Sequence, residues 1–300
     1  MSFRAGIVAV VGRPNVGKST LINHVVGQKV SIVSEKPQTT RRKVLGIATE
    51  EDWQIVFVDT PGVHTAAGRF GRVLNEQARE ALSDVDLVLV MVDVSRAPHK
   101  EDQAVAAMLQ TTGYLNGPRP AATITNDDEE EDSVPVLPFA PSQRGVPVVL
   151  CLNKMDLLKP ENVERHYRAY QDLFRTDQIM MTSLQKVANI DLLVMILLNH
   201  LEEREAIFPE DEFTDQPMRL MAAELVREKV LELTQREVPH AVAVMVDSWE
   251  EEPGLTTISA VITVERESQK AILIGKGGAM LKNIGTGARL EIEKLIDQKV

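Results

Sequence analysis

The sequence is short of three things, and each shortage narrows what the protein can be. It has one cysteine, Cys151, in 300 residues, so no intrachain disulfide forms, and a reducing, cytoplasmic setting is the expectation. It has no apolar run approaching the roughly 18–20 residues that span a bilayer. The opening MSFRAGIVAVVG is apolar for a few residues and then meets Gly and Pro, which suits a first strand and not the longer apolar core of a cleaved signal. Positive charge is also scarce. Thirty-three Lys and Arg stand against 44 Asp and Glu, a net of −11, and taken whole this argues against a nucleic-acid partner. The deficit is uneven, however. Asp127–Asp132 supplies six of the negative charges, whereas residues 216–300 hold 11 basic and 13 acidic side chains, so local patches outweigh the total there.

What is present is a rhythm of buried strands and amphipathic helices. Residues 6–11 (GIVAVV), 87–92 (LVLVMV) and 146–152 (VPVVLCL) are apolar runs of strand length. Residues 44–49 and 54–58 read as two strands joined by a polar turn, and 178–182 as a shorter one. Helical spacing falls at 18–27, 72–83, 101–110, 161–174 and 190–204. Strands alternating with helices predict an α/β domain with a mainly parallel sheet and helices on both faces. Residues 111–144 break the rhythm with five prolines and the acidic run and are expected to be a solvated insertion. The polar, Pro-punctuated stretch 207–217 (IFPEDEFTDQP) reads as a linker between a domain at 1–206 and a smaller α+β domain at 218–300. The second domain reads as helix 218–236, strands 241–247 and 256–264, a helix near 268–273, a Gly-rich turn at 275–278 and a helix at 279–296. No internal repeat is evident.

The first domain carries chemistry at its strand ends. Gly12, Arg13, Pro14, Asn15, Val16, Gly17, Lys18 and Ser19 fit G-x-x-x-x-G-K-[ST] between a strand and a helix. Glycines let backbone N–H groups turn onto phosphate oxygens at a helix N-terminus. Lys18 reaches the β- and γ-phosphates, the Ser19 hydroxyl suits Mg²⁺, and Thr20 falls near the α-phosphate. Asp59-Thr60-Pro61-Gly62 closes the next long strand. Its Asp suits Mg²⁺ through a water, and Gly62 offers an N–H to a γ-phosphate. Asn153-Lys154-Met155-Asp156 follows the 146–152 strand. A carboxylate there accepts from both N1–H and the 2-amino group of guanine, which adenine lacks, so the set points to GTP and GDP rather than ATP. An ordinary strand-to-helix turn is the plainer reading of that tetrad in isolation. Thr182-Ser183-Leu184 fits either backbone contact to the base or a simple strand end. Thr40, in the loop PQTTRR, is the preferred hydroxyl to complete the Mg²⁺ shell and report the γ-phosphate. Lys18, Thr40 and Gly62 are therefore the residues expected at the reacting phosphate. Val63 stands where many such enzymes carry a water-orienting Gln, which predicts slow intrinsic hydrolysis. His64 fits a base or a solvated loop residue.

In this order the four nucleotide motifs resemble the translation-factor-related GTPases. GRPNVGKSTLIN, PQTTRR, VDTPGVH, NKMD, FPEDEFTD and VERESQK together resemble the Era family of bacterial ribosome-assembly GTPases, over nearly the whole chain outside the acidic insertion. The resemblance implies a P-loop GTPase domain followed by a type II KH domain that binds the 3′ end of 16S rRNA on the small ribosomal subunit. Gly275-Lys276-Gly277-Gly278 matches the KH G-x-x-G turn, where two glycines bring the backbone close to a nucleic-acid backbone and Lys276 and Lys282 add charge. Alone, the tetrapeptide fits a structural turn between helices equally well. Ile272, Ile274 and Ile284 are expected to floor a base groove. Asn15 matches loops that hold K⁺ beside the phosphates. The chain departs from the family at Leu184, where Ala is usual, and in the acidic insertion. It also stops at Val300, so the KH sheet is expected to lack its last strand and a basic tail. That leaves open a docking role for the second domain, on a protein or peripherally on the inner face of the membrane, with the protein a monomer in either case. Replacing Asp156 by Asn is expected to exchange guanine for xanthine preference in a competition between GTP and XTP; GTP affinity equal to wild type would remove Asp156 as the base reader.

Overall fold

A computed structural model of the chain describes residues 2–34, 43–62, 76–115, 144–234 and 242–300. In the first domain, β1 (Arg4–Val11), α1 (Lys18–Val26), β2 (Val44–Glu50), β3 (Trp53–Asp59) and β4 (Leu87–Asp93) come first. They are followed by α2 (Lys100–Thr111), β5 (Val148–Asn153), α3 (Val163–Phe174), β6 (Ile179–Met181) and α4 (Ile190–Asn199). Six strands form one sheet in the order β2-β3-β1-β4-β5-β6. Every neighbouring pair is parallel except β2 with β3. That exception follows from the two-residue turn joining them, since parallel strands need a long crossover.

The apolar runs are buried on both faces because successive side chains point to opposite sides. Val8, Val10, Leu87, Leu89 and Met91 pack under α1 and α4, with Leu21, Ile22, Leu193 and Leu197. Ala9, Val11, Val88, Val90 and Val92 pack under α2 and α3, with Leu109, Tyr170 and Phe174. Helices therefore cover both faces, and β1, β3 and β5, which end in predicted site residues, run inside the sheet, with β6 at its edge.

Three sequence expectations shift. Thr111 is the last residue of α2, and the chain stays in the core beyond it: Tyr114 and Leu115 are buried. The Tyr114 hydroxyl donates to the Leu82 carbonyl, and Arg144 stacks on the Tyr114 ring at 5.1 Å. The start of the expected insertion is thus structured, and 116–143 lie outside the described residues. The helix expected over 190–204 stops at Asn199, because the chain then runs beside β1, with Ala5 N–H donating to Glu202 O and Arg204 N–H to Phe3 O. The stretch 207–217 is no loose tether. Ile47 N–H donates to Phe213 O at 2.9 Å, Thr214 Oγ1 to Leu45 O at 2.7 Å and Gln216 Nε2 to Val30 O at 2.9 Å.

The second domain consists of α5 (Met218–Leu233), β7 (Val242–Glu252), β8 (Leu255–Val264), α6 (Glu267–Ile274) and α7 (Ala279–Ile296). β7 runs on past the expected Asp247 because Glu250–Glu252 pair with Leu255–Thr257 across a tight turn. Among the described residues its sheet has two strands. Leu255 also bridges Lys299 in a parallel sense, and Thr256 N–H donates to Lys299 O at 2.8 Å. Val230, Val242, Leu273 and Ile284 form its core. Ile284 therefore supports the fold and cannot floor a base groove, whereas Ile272 and Ile274 are exposed.

Gln54 is fully buried on β3 and holds the interdomain segment. Its Nε2 donates to Thr49 Oγ1 and Phe208 O, and its Oε1 accepts from the Ile207 and Phe208 N–H groups. Replacing Gln54 by Ala strands three backbone groups, and an unfolding titration should show a loss of about 2 kcal/mol or more.

Candidate nucleotide and nucleic-acid site

The carboxyl ends of β1, β3, β5 and β6 converge, and each delivers one of the predicted segments. The Gly12–Ser19 loop leaves β1 and enters α1. Two of its glycines are enforced by close approach. A Cβ on Gly12 would lie 2.3 Å from the Met91 carbonyl oxygen of β4. Gly17 has φ +109°, and a Cβ there would lie 2.6 Å from Asn153 Nδ2. Val16 is buried, and Asn15 adopts φ 61°. Asn15, Gly17, Lys18, Ser19 and Thr20 line one cavity together with Gly62.

Lys18 is buried, and its ammonium donates to Gly12 O at 3.0 Å and Arg13 O at 3.1 Å. Burial lowers its pKa to about 8; the Asp59 charge opposes the shift and Arg13 adds to it. Ser19 Oγ donates to Asp59 Oδ2 at 2.7 Å. A hydroxyl and a carboxylate side by side are the hard oxygen donors that suit Mg²⁺, so the residues present fit that ion. Thr60 Oγ1 donates to Val10 O at 2.8 Å and pins the end of β3 to β1. Thr40, Val63 and His64 lie outside the described residues.

On the base side, Asn153 is buried, with Nδ2 donating to Val16 O at 2.8 Å and Oδ1 accepting from Thr182 Oγ1 and the Leu184 N–H, each at 3.3 Å. Lys154 takes φ 64° and donates to Asp93 Oδ2 at 2.9 Å. Asp156 is exposed, and its carboxylate accepts from the buried Ser183 hydroxyl. The sequence left 182–184 open between a backbone contact to the base and a simple strand end, and in the structure all three N–H groups are engaged within the protein. Thr182 N–H donates to Leu152 O, Ser183 N–H to Ala188 O, and Leu184 N–H to Asn153. Ser183 instead orients Asp156 through its hydroxyl. The Leu184 side chain, where the family usually has Ala, packs over Gly17.

Sequence reasoning missed a charged layer beneath the loop. Arg13 reaches Asp93 at 3.5 Å and the fully buried Asp102 of α2 at 3.3 Å. Burial would raise the Asp93 carboxyl, but hydrogen bonds from Ser95 and Lys154 and the charge of Arg13 hold it below the usual range. Burial does raise Asp102, against the His99 N–H bond and Arg13. Asp93 thus touches both the phosphate loop and the base loop. The signal was available: Asp93 ends a buried strand just as Asp59 does.

In the second domain, Gly275, Gly277 and Gly278 have φ of 69°, 63° and 80°. They form a tight turn between α6 and α7, with Gly278 N–H donating to Gly275 O at 3.2 Å. A Cβ on Gly277 or Gly278 would meet nothing within 4 Å, so the turn opens outward. Lys276 and Lys282 are exposed beside it.

A P-loop with a guanine-type base loop on a six-stranded sheet, joined to an α+β domain with an exposed G-x-x-G turn, defines a GTPase with a KH domain. The family described as 50S ribosome-binding GTPases matches residues 7–123, and the KH domain family matches residues 237–300. The GTPase Era of Geobacter metallireducens (strain ATCC 53774 / DSM 7210 / GS-15) is 42% identical over 300 residues, covering 99% of this chain and 90% of that protein. Two crystal structures align at 35% identity over 99% of this chain and 91% of theirs. One is Era with MgGDPNP and nucleotides 1506–1542 of 16S ribosomal RNA, at TM-score 0.82; the other is a point variant of Aquifex aeolicus Era bound to GDP·AlF4⁻, at 0.83. The chain belongs to the Era family of GTPases.

Phosphate oxygens attract only the charged form of Lys18. GDP affinity should therefore be flat below pH 8 and fall as pH rises through 8, by up to about tenfold per unit for one linked proton. Titration calorimetry across pH 7–9.5 measures this slope.

Proposed function

We propose that this chain is a GTP-hydrolysing switch that binds the 3′ end of 16S rRNA through its KH domain and assists maturation of the small ribosomal subunit in the cytoplasm. The observation that carries the reading is the outward-opening Gly275–Gly278 turn, flanked by Lys276 and Lys282, on a chain that matches an rRNA-bound Era along almost its whole length. Such a turn lets a nucleic-acid backbone approach main-chain N–H groups, and the lysines neutralise phosphate.

At the other site, the loop 12–19 holds the β- and γ-phosphates and Lys18 exchanges its loop carbonyls for phosphate oxygens. Ser19 and Asp59 hold Mg²⁺, which when bound neutralises charge on the phosphates. Gly62 lines the same cavity, and Asn15 offers an oxygen for K⁺. Val63 cannot orient the attacking water as a Gln there would, and hydrolysis is slow until another group or partner assists. Asp156, held by Ser183, reads the guanine edge, and Leu184 closes the pocket against Gly17.

Replacing both Lys276 and Lys282 by Ala should weaken binding of a 16S 3′-end oligonucleotide. The slope of log affinity on log salt should become shallower by about 0.7 per lysine. Wild-type protein that fails to bind this RNA at low salt would turn the second domain toward protein or peripheral membrane docking; among the described residues no helix is long and apolar enough to cross a membrane.

A further inference from the structure

A carboxylate of the KH domain reaches the wall of the nucleotide site. Glu228 lies on α5, and its side chain is only 2% exposed. Its Oε1 accepts the Val33 N–H at 2.9 Å, and its Oε2 accepts from Lys29 Nζ at 2.5 Å. Lys29 is also 3.4 Å from Glu291 on α7, and Lys229 Nζ is 3.8 Å from Glu228 Oε2.

Both direct partners belong to the first domain, and Val33 lines the site. Lys29 follows the Gly27 cap of α1, the helix whose other end carries Lys18 and Ser19. Val33 sits between Ile32 and Ser34, and all three line the cavity formed by the phosphate loop and Gly62. A carboxylate removed from water is costly wherever its partners move away. Glu228 therefore restrains the backbone of the pocket wall at Val33 and the tail of the phosphate-binding helix at once.

We propose that Glu228, a residue of the RNA-binding domain, is a positioning residue of the nucleotide site: it fixes the wall at Val33, so that nucleotide retention and the seating of α5 depend on each other. Linkage makes the dependence reciprocal, because whatever shifts α5 must alter nucleotide affinity by the factor with which nucleotide alters the seating of α5. The proposal rests on the nucleotide site described above and not on which RNA the second domain takes.

Release of a fluorescent GDP analogue from the full chain, followed by stopped flow, tests it. Wild-type protein must first bind the analogue; failure there would count against the GTPase assignment and not against Glu228. Glu228→Ala removes both bonds and should speed release about tenfold, as loss of a hydrogen bond to a charged acceptor implies. Glu228→Gln keeps an acceptor for the Val33 N–H and should give a smaller acceleration. Glu291→Gln loosens only the Lys29 contact between the domains and should stay within about twofold of wild type. Release from Glu228→Ala at the wild-type rate overturns the proposal. So does equal acceleration by Glu291→Gln, which would assign the effect to a looser domain contact in general. If the alanine variant does not fold, Glu228→Gln decides: a rate indistinguishable from wild type overturns the proposal.

Discussion

The nucleotide site hangs on one side-chain amide. Asn153 ends β5, and its two polar atoms are shared among segments from three strands: Val16 in the loop after β1, and Thr182 and Leu184 after β6. Asn153 and its bonds to Val16 and Thr182 are buried, so those bonds have little competition from water and hold the loops in one arrangement. Gly17 has no side chain where one would strike Asn153. The phosphate loop and the base loop are thus one object, and the distance between triphosphate and base contacts is set before any ligand contributes.

A second, ionic layer supports the same object from below. Arg13 and Lys154 come from opposite ends of the nucleotide pocket and meet on Asp93, with Asp102 completing the neutralisation of Arg13. Buried charges of this kind are tolerated only when paired, and here each pairing also fixes a backbone segment. The same logic recurs at Gln54 and Glu228. In each place a polar group withdrawn from water secures chain from elsewhere in the sequence, and together they bind the interdomain segment and the KH domain to the GTPase domain.

Much of this was legible in the sequence because local signals agreed. The strand run before Gly12, the helical spacing after Lys18 and the glycine at the helix end all pointed one way, and the strands ending at Asp59 and Asn153 followed the same grammar. What was not legible depended on distant partners. Nothing in TTGYL says that Tyr114 finds the Leu82 carbonyl, so the core was expected to end too early. Ile284 has the spacing of a groove residue, but its side of α7 packs on Val230 and Leu273. FPEDEFTD looked like a linker because its bonds run to the edge strand β2, more than 150 residues back in the chain. The residues at 182–184 left two readings open because the acceptors of their N–H groups, such as Leu152 and Ala188, appear only once strand β5 and the turn after β6 are assembled.

The contact between Gly12 and the Met91 carbonyl carries a lesson for anyone interpreting variants of this protein. A single methyl at position 12 intrudes on the main chain of β4, a strand at the centre of the sheet with no room to yield. An alanine there is an architectural lesion that mimics a ligand defect, and a drop in affinity from it says nothing about how that residue meets phosphate. The variants that speak to phosphate recognition are those at Lys18 and Ser19, whose side chains end in the cavity itself.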